Sequence, residues 1–450
     1  MGYNPIKVSQ AYYCEDPFLN QLGVSPVFNL LTSTLDDNRK ENRTLHLMSE
    51  EDALSKVQKY LHRQGIDRLS PIARKVEREG TPNRRNVVLV FMESMSANLM
   101  GTFGSDKKLT PYLDSLYQQS LSFSHFYSSG IHTNHGIYST LYSFPAIMKR
   151  NAMKGSVIPV YSGLPTVLQE NGYCNLFFMT HESQYDNMNA FLRTNGFDEI
   201  YAQENYPSEK VVNSFGVQDD FMYQYALPIL NERAGTGNPF FSVLLSISNH
   251  PPYVIPPYFH PHSDVLEEQI VEYADWSIRQ FMQAAEKQPW FDNTIFVFLG
   301  DHGKMVGTPE CEMPQSYNHI PLMIYGKDIK PGVYDGFGGQ VDVSPTLLGL
   351  LNISYLQNNF GVNLLEEERP CMFFTADNLI GARDSVNMFI YSPDSQQEFK
   401  YKLEEGKLHA ATGTDEEAFR NLKDYCFSML QSTESLVKEH KTLDKVSVKK

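Results

Sequence analysis

The sequence predicts an α/β fold in which a mostly parallel central sheet is sandwiched by helices, with a small C-terminal α+β unit. From residue 86 onwards, short apolar runs alternate with polar helical stretches, which is typical of a parallel sheet covered on both faces. The 450 residues are 41% hydrophobic and 12% aromatic, so there is enough apolar material for a large core. This composition excludes a disordered chain or a small scaffold held by disulfides.

The first two segments of the chain differ in their patterning. Residues 1–81 lack strand-like runs and show helical patterning at 50–61 and around 72–76, so we expect a helical approach segment. Residues 82–385 carry the alternation of strands and helices. They are predicted to form the main domain.

The last two segments are shorter. Residues 386–436 predict a small unit with strands at 386–391 and 398–403 and an amphipathic helix at 416–430. Residues 437–450 are rich in lysine and poor in apolar residues. We therefore expect them to form a mobile tail.

The charge balance restricts the partners. The chain has 38 basic and 53 acidic residues, a net charge of −15, which would repel the phosphates of a nucleic acid. No apolar run approaches the ~20 residues that span a membrane, and the first residues do not form a secretory signal. As given, the sequence predicts a soluble, monomeric chain that does not bind nucleic acid.

The cysteines form no recognisable redox or zinc motif. They are widely spaced and contain no C-x-x-C pair. Buried thiols are the simplest expectation, although one or two disulfides stay open in an oxidising compartment. The five residues are Cys14, Cys174, Cys311, Cys371 and Cys426.

Four apolar runs end in residue types that bind metals or transfer protons. In open α/β sheets, ligands bind beyond the carboxyl ends of the strands, so such residues can share one crevice. The residues concerned are Glu93, His181, His250 and the pair Asp301-His302. Each of them alone also has a structural explanation, as a helix N-terminal acid, a loop histidine or part of a turn.

The pair Asp301-His302 is the strongest of these signals. It follows a fully apolar strand and is flanked by Gly300 and Gly303, which allow tight turning of the backbone. Together with Glu93, the pair offers carboxylate and imidazole ligands that suit Mn²⁺, Zn²⁺ or Mg²⁺. A metal site at this edge of the sheet is therefore predicted.

Thr133 is the candidate nucleophile. It lies between His132 and His135, just before a stretch that can be helical at 136–141. At a helix N-terminus a hydroxyl can lose its proton against a metal, while free N–H groups and the helix dipole favour an anionic substrate. The same local pattern also predicts an ordinary N-cap threonine, and the local sequence does not separate the two.

Several segments together resemble, in this order, the sulfatase-like branch of the alkaline phosphatase superfamily. The likeness is strongest to lipoteichoic acid synthase and related phosphoglycerol transferases, and it covers roughly residues 82–385. The segments are NVVLVFMESM (86–95), LTPYLDSL (109–116), the Thr133 segment, NHPPY (249–253), GDHG (300–303), HIPL (319–322) and VDVSPTL (341–347).

The resemblance implies a set of ligands and a mechanism. One divalent cation, Mn²⁺ first with Mg²⁺ and Zn²⁺ as alternatives, would be held by Glu93, Thr133, Asp301 and His302. His250 would help to hold the substrate head group. The threonine oxygen would attack a phosphodiester and form a phospho-threonine intermediate, which passes to an acceptor alcohol or to water.

The resemblance also implies a substrate class and a location. Membrane lipids or envelope glycans would be the substrates. Residues 16–28 resemble the juxtamembrane part that follows transmembrane helices in such enzymes. The full-length protein is therefore expected to be anchored in the cell membrane, with this catalytic domain periplasmic or extracellular.

One departure from the family bears on the substrate. Members that act on phosphoglycerol carry an aromatic residue and an arginine shortly after the histidine that matches His181. Tyr185 can replace the aromatic residue, but Asn187 stands where the arginine would be, and Arg193 is only a distant substitute. We expect His181, Tyr185 and Asn187 to contact the substrate, with weak turnover of phosphatidylglycerol-type lipids and preference for a zwitterionic or differently substituted phosphodiester.

Three alternatives remain. A sulfatase of the formylglycine type needs an arginine that the segment at Ser143 lacks, and a two-metal phosphodiesterase or phosphomonoesterase needs a further Asp/His cluster. The third alternative is a catalytically inactive binding module on the cell surface. Near His250, we expect that Tyr253, Tyr258 or Trp276 could contact a substrate.

Overall fold

An eight-stranded mixed sheet organises most of the chain. The computed structural model describes residues 45–66, 69–154, 158–404, 406–411 and 416–444. Within these ranges the strands are, in chain order, β1 Arg74–Val76, β2 Asn86–Met92, β3 Leu121–Tyr127, β4 Cys174–Met179, β5 Glu199–Tyr201, β6 Val211–Asn213, β7 Gly216–Val217, β8 Phe240–Leu245, β9 Thr294–Gly300, β10 Leu322–Tyr325, β11 Gly332–Gly339, β12 Tyr355–Gln357, β13 Met372–Thr375, β14 Ile380–Arg383, β15 Asn387–Ser392, β16 Gln397–Glu404 and β17 Lys407–Ala410.

Helices connect most of these strands. In the same ranges the α-helices are α1 Glu50–Tyr60, α2 Pro111–Gln118, α3 Thr133–Tyr142, α4 Leu164–Glu170, α5 Met188–Thr194, α6 Asp219–Ala234, α7 Leu266–Ala285, α8 Gln315–Asn318, α9 Val343–Leu350 and α10 Glu416–Lys438. The 3-10 helices are Ala97–Leu99, Gly101–Phe103, Tyr185–Asn187, Gln203–Asn205, Ser208–Lys210, Phe291–Asn293 and Gln340–Asp342.

The strand order explains how the site is assembled. The main sheet has the order β11-β3-β10-β9-β2-β8-β4-β5. The strands β9, β2, β8 and β4 are consecutive parallel neighbours, whereas β10 runs antiparallel to both β9 and β3. These four parallel strands are the ones that the apolar runs predicted, and their carboxyl ends meet at one edge of the sheet.

The central strand β2 is buried on both faces. Val87, Leu89 and Phe91 belong to one apolar cluster and Val88 and Val90 to another, because successive side chains of a strand point to opposite faces. The first cluster includes residues of α3, α4 and α9, and the second includes residues of α2, α6 and α7. The predicted arrangement of a mostly parallel sheet between two layers of helices is therefore confirmed.

A second sheet forms the C-terminal part of the fold. Its five strands are antiparallel in the order β13-β14-β15-β16-β17, and β15 and β16 correspond to the predicted strands at 386–391 and 398–403. The sheet begins at Met372, upstream of the predicted start of this unit at 386. In the sequence, the apolar run of β13 looks like one more strand of the α/β alternation. A short apolar run does not indicate whether its strand pairs in parallel or antiparallel with its neighbours.

The first described segment packs against the last helix. Helix α1 matches the helical pattern at 50–61, and the Ser49 hydroxyl caps it by accepting from Asp52 N at 3.1 Å. The prediction of a helix around 72–76 is wrong, because β1 lies there and pairs with the distant strand β12. Most of the predicted approach segment, residues 1–44, lies outside the described residues.

The described part of the predicted mobile tail is held by hydrogen bonds. Ser162 N donates to Thr442 O at 3.0 Å, and Asn358 Nδ2 donates to Leu443 O at 2.7 Å. The acceptors in these bonds are backbone carbonyls of the tail. Contacts of this kind cannot be predicted from amino-acid composition. The remainder of the predicted tail lies outside the described residues.

The described cysteines are free thiols. Cys371 and Cys426 are buried, and Cys174 and Cys311 are partly buried. Cys14 lies outside the described residues. Across the described ranges, no helix combines the length and the apolar character needed to cross a membrane.

Candidate active site

The carboxyl edge of the main sheet gathers the site residues that the sequence predicted. Glu93 follows β2 directly, and Asp301 and His302 follow β9. His181 comes shortly after β4, and His250 after β8. Neighbouring parallel strands thus deliver these residues to one side of the sheet.

Glu93, Asp301 and His302 form a compact triad. One ligand atom from each residue lies within 4.8 Å of the others. His302 Nε2 is 3.6 Å from Asp301 Oδ2 and 3.9 Å from Glu93 Oε1. The two carboxylates are only 1% and 0% exposed. Three of the four predicted metal ligands therefore converge.

The hydrogen bonds of the triad engage one oxygen of each carboxylate and leave the other without a partner among the described residues. Asp301 Oδ1 accepts from Ser94 N and His302 N at 2.8 Å each, and Glu93 Oε1 accepts from Ser94 Oγ at 2.6 Å. Glu93 Oε2 and Asp301 Oδ2 are buried without a hydrogen-bond partner among the described residues. Such orphaned oxygens are costly unless a cation or a proton meets them.

The histidine of the triad is oriented as a ligand. His302 Nδ1 lies 2.8 Å from Gly303 O, so it carries the proton and donates to this carbonyl. The Nε2 lone pair is then free toward the carboxylates, which is the usual arrangement of a metal-binding histidine. Two carboxylate oxygens and one imidazole nitrogen suit Mn²⁺, Zn²⁺ or Mg²⁺.

The two buried carboxylates of the triad repel each other, a strain that a cation would relieve. Burial, and then the neighbouring Asp301 carboxylate, raise the pKa of Glu93 well above its ordinary value. A divalent cation would favour the charged form of both carboxylates and remove this strain. The donor set and its electrostatics therefore both fit a metal.

Thr133 is the first residue of helix α3. His132 occupies the N-cap position, and its side chain makes no capping hydrogen bond. The explanation of Thr133 as an ordinary N-cap therefore does not apply. One turn later, a Cβ on Gly136 would lie 2.2 Å from Asp301 O, so the start of α3 is packed directly against the triad.

Asp377 is a site residue that the sequence did not indicate. Its Oδ1 lies 2.6 Å from His132 Nε2, and the His132 ring meets the edge of the His135 ring at a centroid distance of 5.0 Å. Asp377 lies between β13 and β14, so the C-terminal sheet contacts the start of α3. An aspartate in a distant turn carries no local signal of this contact.

His181 has one ring nitrogen without a partner. Its Nδ1 lies 2.9 Å from Glu182 O, and its Nε2 is buried with no hydrogen-bond partner among the described residues. Burial lowers the pKa of His181, which favours the neutral ring at neutral pH. The ring centroid is 4.8 Å from that of Tyr185, which is 42% exposed.

Asn187 is engaged within the fold. Its Nδ2 donates to Met153 O at 2.8 Å. The distant arginine, Arg193, donates to Asn189 Oδ1 at 3.0 Å and to Asp198 O at 3.3 Å. Neither residue therefore supplies a free cation at the position of the family arginine.

His250 lies in an aromatic row with His181 and Tyr185. Its ring centroid is 4.2 Å from that of Phe215, which is 6.1 Å from that of Tyr185. His250 Nδ1 lies 2.6 Å from Pro251 O, so it donates there and leaves Nε2 as an acceptor. The two histidines of the row come after the carboxyl ends of β4 and β8, on the side of the sheet that carries the triad.

The three aromatic residues expected near His250 separate into two groups. Tyr258 donates to both carboxylate oxygens of Asp220, at 3.0 and 2.9 Å. Trp276 stacks on Tyr273 with centroids 5.9 Å apart, within the packing of α6 and α7. Tyr253 instead lies beside a lysine that the sequence reading did not consider.

That lysine is Lys304, which comes directly after the GDHG segment. Its Nζ donates to Asn249 Oδ1 at 2.6 Å and lies 5.7 Å from the centroid of the Tyr253 ring. Asn249 Nδ2 donates in turn to Glu93 O at 3.0 Å. Burial lowers the pKa of Lys304 to about 8, while Glu93 acts in the opposite direction.

The sheet, the triad and the helix-terminal threonine define a sulfatase-like enzyme of the α/β class. The Sulfatase family matches residues 85–353, more than half of the sequence, and the chain belongs to this family. The identification made from the ordered motifs is thereby confirmed.

Two curated relatives illustrate the similarity. The chain is 25% identical over 362 residues to the lipoteichoic acid synthase-like protein YvgJ of Bacillus subtilis (strain 168), covering 73% of the chain and 56% of that protein. It is 24% identical over 400 residues to the lipoteichoic acid synthase of Staphylococcus aureus (strain COL), covering 78% and 58%. The chain therefore spans little more than half the length of these relatives.

Solved structures share the fold over nearly their whole length. A protein of the alkaline phosphatase superfamily from Vibrio parahaemolyticus superposes with a TM-score of 0.79 at 25% identity, covering 88% of this chain and 97% of that one. The lipoteichoic acid synthase LtaP from Listeria monocytogenes gives a TM-score of 0.67 at 21% identity, covering 86% and 98%. The latter likeness concerns the fold alone.

Proposed function

We propose that this protein is a metal-dependent phosphodiester transferase or hydrolase that acts through a covalent phospho-threonine intermediate. The observation that carries the proposal is the buried triad with two orphaned carboxylate oxygens, packed against the start of the helix that Thr133 begins. Similarity to lipoteichoic acid synthases favours a phosphodiester over a sulfate ester or a phosphomonoester. A catalytically inactive binding module would have no need of this strained triad.

The cation would be held by Glu93, Asp301 and His302 together with Thr133. When bound, it would supply Lewis acid stabilisation of the negative charge that develops on the phosphoryl oxygens. Mn²⁺ is the first choice, with Mg²⁺ and Zn²⁺ as alternatives.

The residues of the chain account for the two transfer steps. In the first step, the Thr133 oxygen forms a bond to phosphorus while the bond from phosphorus to the leaving oxygen breaks, and the threonine proton ends on the released alcohol. The free N–H groups and the dipole at the start of α3 stabilise the phosphoryl charge. In the second step, an acceptor alcohol or water displaces the threonine oxygen, which takes up the acceptor's proton.

The substrate is proposed to be a membrane lipid or an envelope glycan. His181 Nε2, His250 Nε2 and the exposed Tyr185 would contact the head group. Because the amide of Asn187 is neutral and bonded to Met153, phosphatidylglycerol-type lipids should be poor substrates, and a zwitterionic or differently substituted head group should be better.

The same similarity supports a proposal for the location. We place the full-length protein in the cell membrane through an anchor, with this catalytic domain extracellular or periplasmic and monomeric. Nucleic acid is not a partner in this proposal, in keeping with the net charge of −15.

Thr133→Ala and Thr133→Ser test the proposal. With Mn²⁺ bound and the fold preserved, Thr133→Ala should lose nearly all turnover of bis(p-nitrophenyl) phosphate, because it removes the nucleophile, whereas Thr133→Ser should keep part of it. Mass spectrometry should detect a phosphate adduct on Thr133 in the wild type, and elemental analysis should find about one metal ion per chain.

An exposed threonine offers the matched control. Thr102 contacts Asp114 on the surface, and Thr102→Ala should leave turnover unchanged. Unchanged turnover in a folded, metal-loaded Thr133→Ala protein would rule out the phospho-threonine mechanism.

A further inference from the structure

A lysine that the transfer scheme leaves unused stands beside the triad. Lys304 Nζ reaches Asn249 Oδ1, and the amide nitrogen of Asn249 reaches the backbone oxygens of Glu93 and Ser94 at 3.0 and 3.3 Å. The face of the Tyr253 ring flanks the ammonium. One bridging asparagine therefore links the lysine to the first metal ligand.

The backbone of Lys304 is fixed by the fold. Lys304 N donates to Ser96 Oγ at 2.8 Å, and the Ser96 hydroxyl lies 2.9 Å from Lys304 O. The preceding Gly303 is packed so closely that a Cβ there would lie 2.0 Å from Ser316 O. The side chain that carries the ammonium therefore starts from a fixed point of the backbone.

The hydrogen bonds of the ammonium are incomplete. An ammonium group has three donors, and within the described part of the chain Asn249 Oδ1 is the one side-chain oxygen that accepts from Lys304 Nζ. Glu93 and Glu267 are the acidic groups that favour its charge. A partly buried ammonium with donors to spare is stabilised by a further anionic acceptor.

We propose that Lys304 is a substrate-binding residue whose ammonium holds a non-bridging oxygen of the anionic phosphodiester. The inference rests on the proposed function and extends it, since it names the cation that receives the phosphoryl group. Asn187 supplies no such cation at the position of the family arginine. Lys304 supplies it from the turn that carries Asp301 and His302.

Charge and hydrogen bonding can be separated by substitution. Lys304→Gln keeps a donor that can reach toward Asn249 but removes the charge, and Lys304→Arg keeps the charge. Lys327→Gln is the matched control. Lys327 follows the end of β10 and pairs with Asp292, which precedes the start of β9, at the edge of the sheet away from the triad. For each protein, inorganic phosphate is titrated calorimetrically into Mn²⁺-saturated enzyme, and Mn²⁺ is titrated into metal-free enzyme.

We expect Lys304→Gln to weaken phosphate binding and to lower kcat/KM for bis(p-nitrophenyl) phosphate, each by about 10- to 100-fold, the loss of one charge-assisted hydrogen bond. Mn²⁺ affinity should stay equal or rise, because a neighbouring positive charge is removed. Lys304→Arg should stay within about 10-fold of wild type, and Lys327→Gln should match wild type.

Phosphate binding by Lys304→Gln within twofold of wild type would overturn the inference. If this variant does not fold, Lys304→Met, an unbranched and uncharged side chain, is tested by the same criterion. If wild-type enzyme does not cleave the diester while Lys304→Gln still loses phosphate binding, the reaction is wrong and the anion site stands. If wild type cleaves the diester and Lys304→Gln is unaffected in both measurements, Lys304 alone is wrongly assigned.

Discussion

At the scale of single residues, Gly136 sets how closely the start of α3 approaches the triad. A Cβ at this position would lie 2.2 Å from Asp301 O, where ordinary contact needs about 3.4 Å or more. Gly136→Ala should therefore push the helix and the Asp301 segment apart, because neither backbone can yield locally. We expect Mn²⁺ affinity to fall at least about 10-fold and turnover to be lost.

Calorimetric titration of Mn²⁺ measures this effect. Gly332→Ala is the matched control, because no heavy atom lies within 4 Å of a Cβ there. Equal Mn²⁺ affinity in Gly136→Ala and wild type would show that the packing of α3 on Asp301 does not position the triad.

His135 should make the fold sensitive to acid. Burial, and then neighbouring His132, lower the pKa of His135 to about 3. The stability that a lowered histidine pKa contributes is present above about pH 6.5 and is lost as the pH falls toward 3. Between pH 6.5 and 5, His135 should account for a loss of about 2 kcal/mol in the free energy of unfolding.

Urea unfolding at the two pH values, in the presence of EDTA, measures this loss. His135→Gln should be less stable at pH 6.5 but should change less between the two values, because the glutamine does not titrate. The comparison isolates His135 from other groups, such as Glu93, that titrate in both proteins. An identical pH dependence in both would contradict the assignment.

At the scale of elements, a side-chain pair connects the C-terminal sheet to the start of α3. The His132 and Asp377 side chains are 40% and 38% exposed, so the pair should contribute less than about 1 kcal/mol to stability. Asp377→Ala should nevertheless lower kcat about 10-fold, because His132 directly precedes Thr133 and its loss of support misplaces the helix start. KM and Mn²⁺ affinity should change little.

A double-mutant cycle with His132→Gln checks this positioning role. If the two side chains act through each other, the double variant should be no slower than the slower single variant. Asp377→Glu should recover part of the activity. Independent, multiplicative losses would show that Asp377 acts by another route.

The elements that the sequence predicted well are those whose pattern is local. Continuous apolar runs mark the strands β2, β4, β8 and β9. Residues directly after them, such as Glu93 and Asp301, could be assigned to the site because ligands bind beyond the carboxyl ends of strands in open α/β sheets. The short strand β1 could not be predicted, because its partner β12 is about 280 residues away in the chain and three residues carry little pattern. The same reason hid Asp377, whose role depends on how a distant turn is placed.

Lys304 was missed for a different reason. A lysine after a glycine reads as an exposed loop residue, and only the packing of Ser96 and Asn249 shows that its ammonium is held inside the site. For Asn187, the sequence indicated that it stands where the family arginine would be. Its hydrogen bond to Met153 could not be predicted from the sequence.

At the scale of the whole molecule, the C-terminal unit shares a core with the main sheet. Phe419, Leu430 and Leu436 of α10 belong to the same apolar cluster as Val87 and Leu89 of β2. A chain that ends at residue 371 would expose this surface and should fail to fold. The complete chain should unfold in a single thermal transition.

Scanning calorimetry and circular dichroism measure these outcomes. The calorimetric and van 't Hoff enthalpies of the complete chain should agree, as they do for one cooperative unit. Two separate transitions, or a soluble and folded fragment of residues 45–371, would contradict a shared core.

The central position of β2 has a consequence for synthesis of the protein. Its two neighbours, β8 and β9, begin 154 and 208 residues further along the chain. At 5 to 20 residues per second, a ribosome needs about 10 to 40 s to supply both. During that interval a fully apolar strand has both hydrogen-bonding edges open, which is the condition for aggregation between nascent chains. The yield on overexpression should therefore follow chaperone capacity and translation speed more closely than the stability of the finished fold.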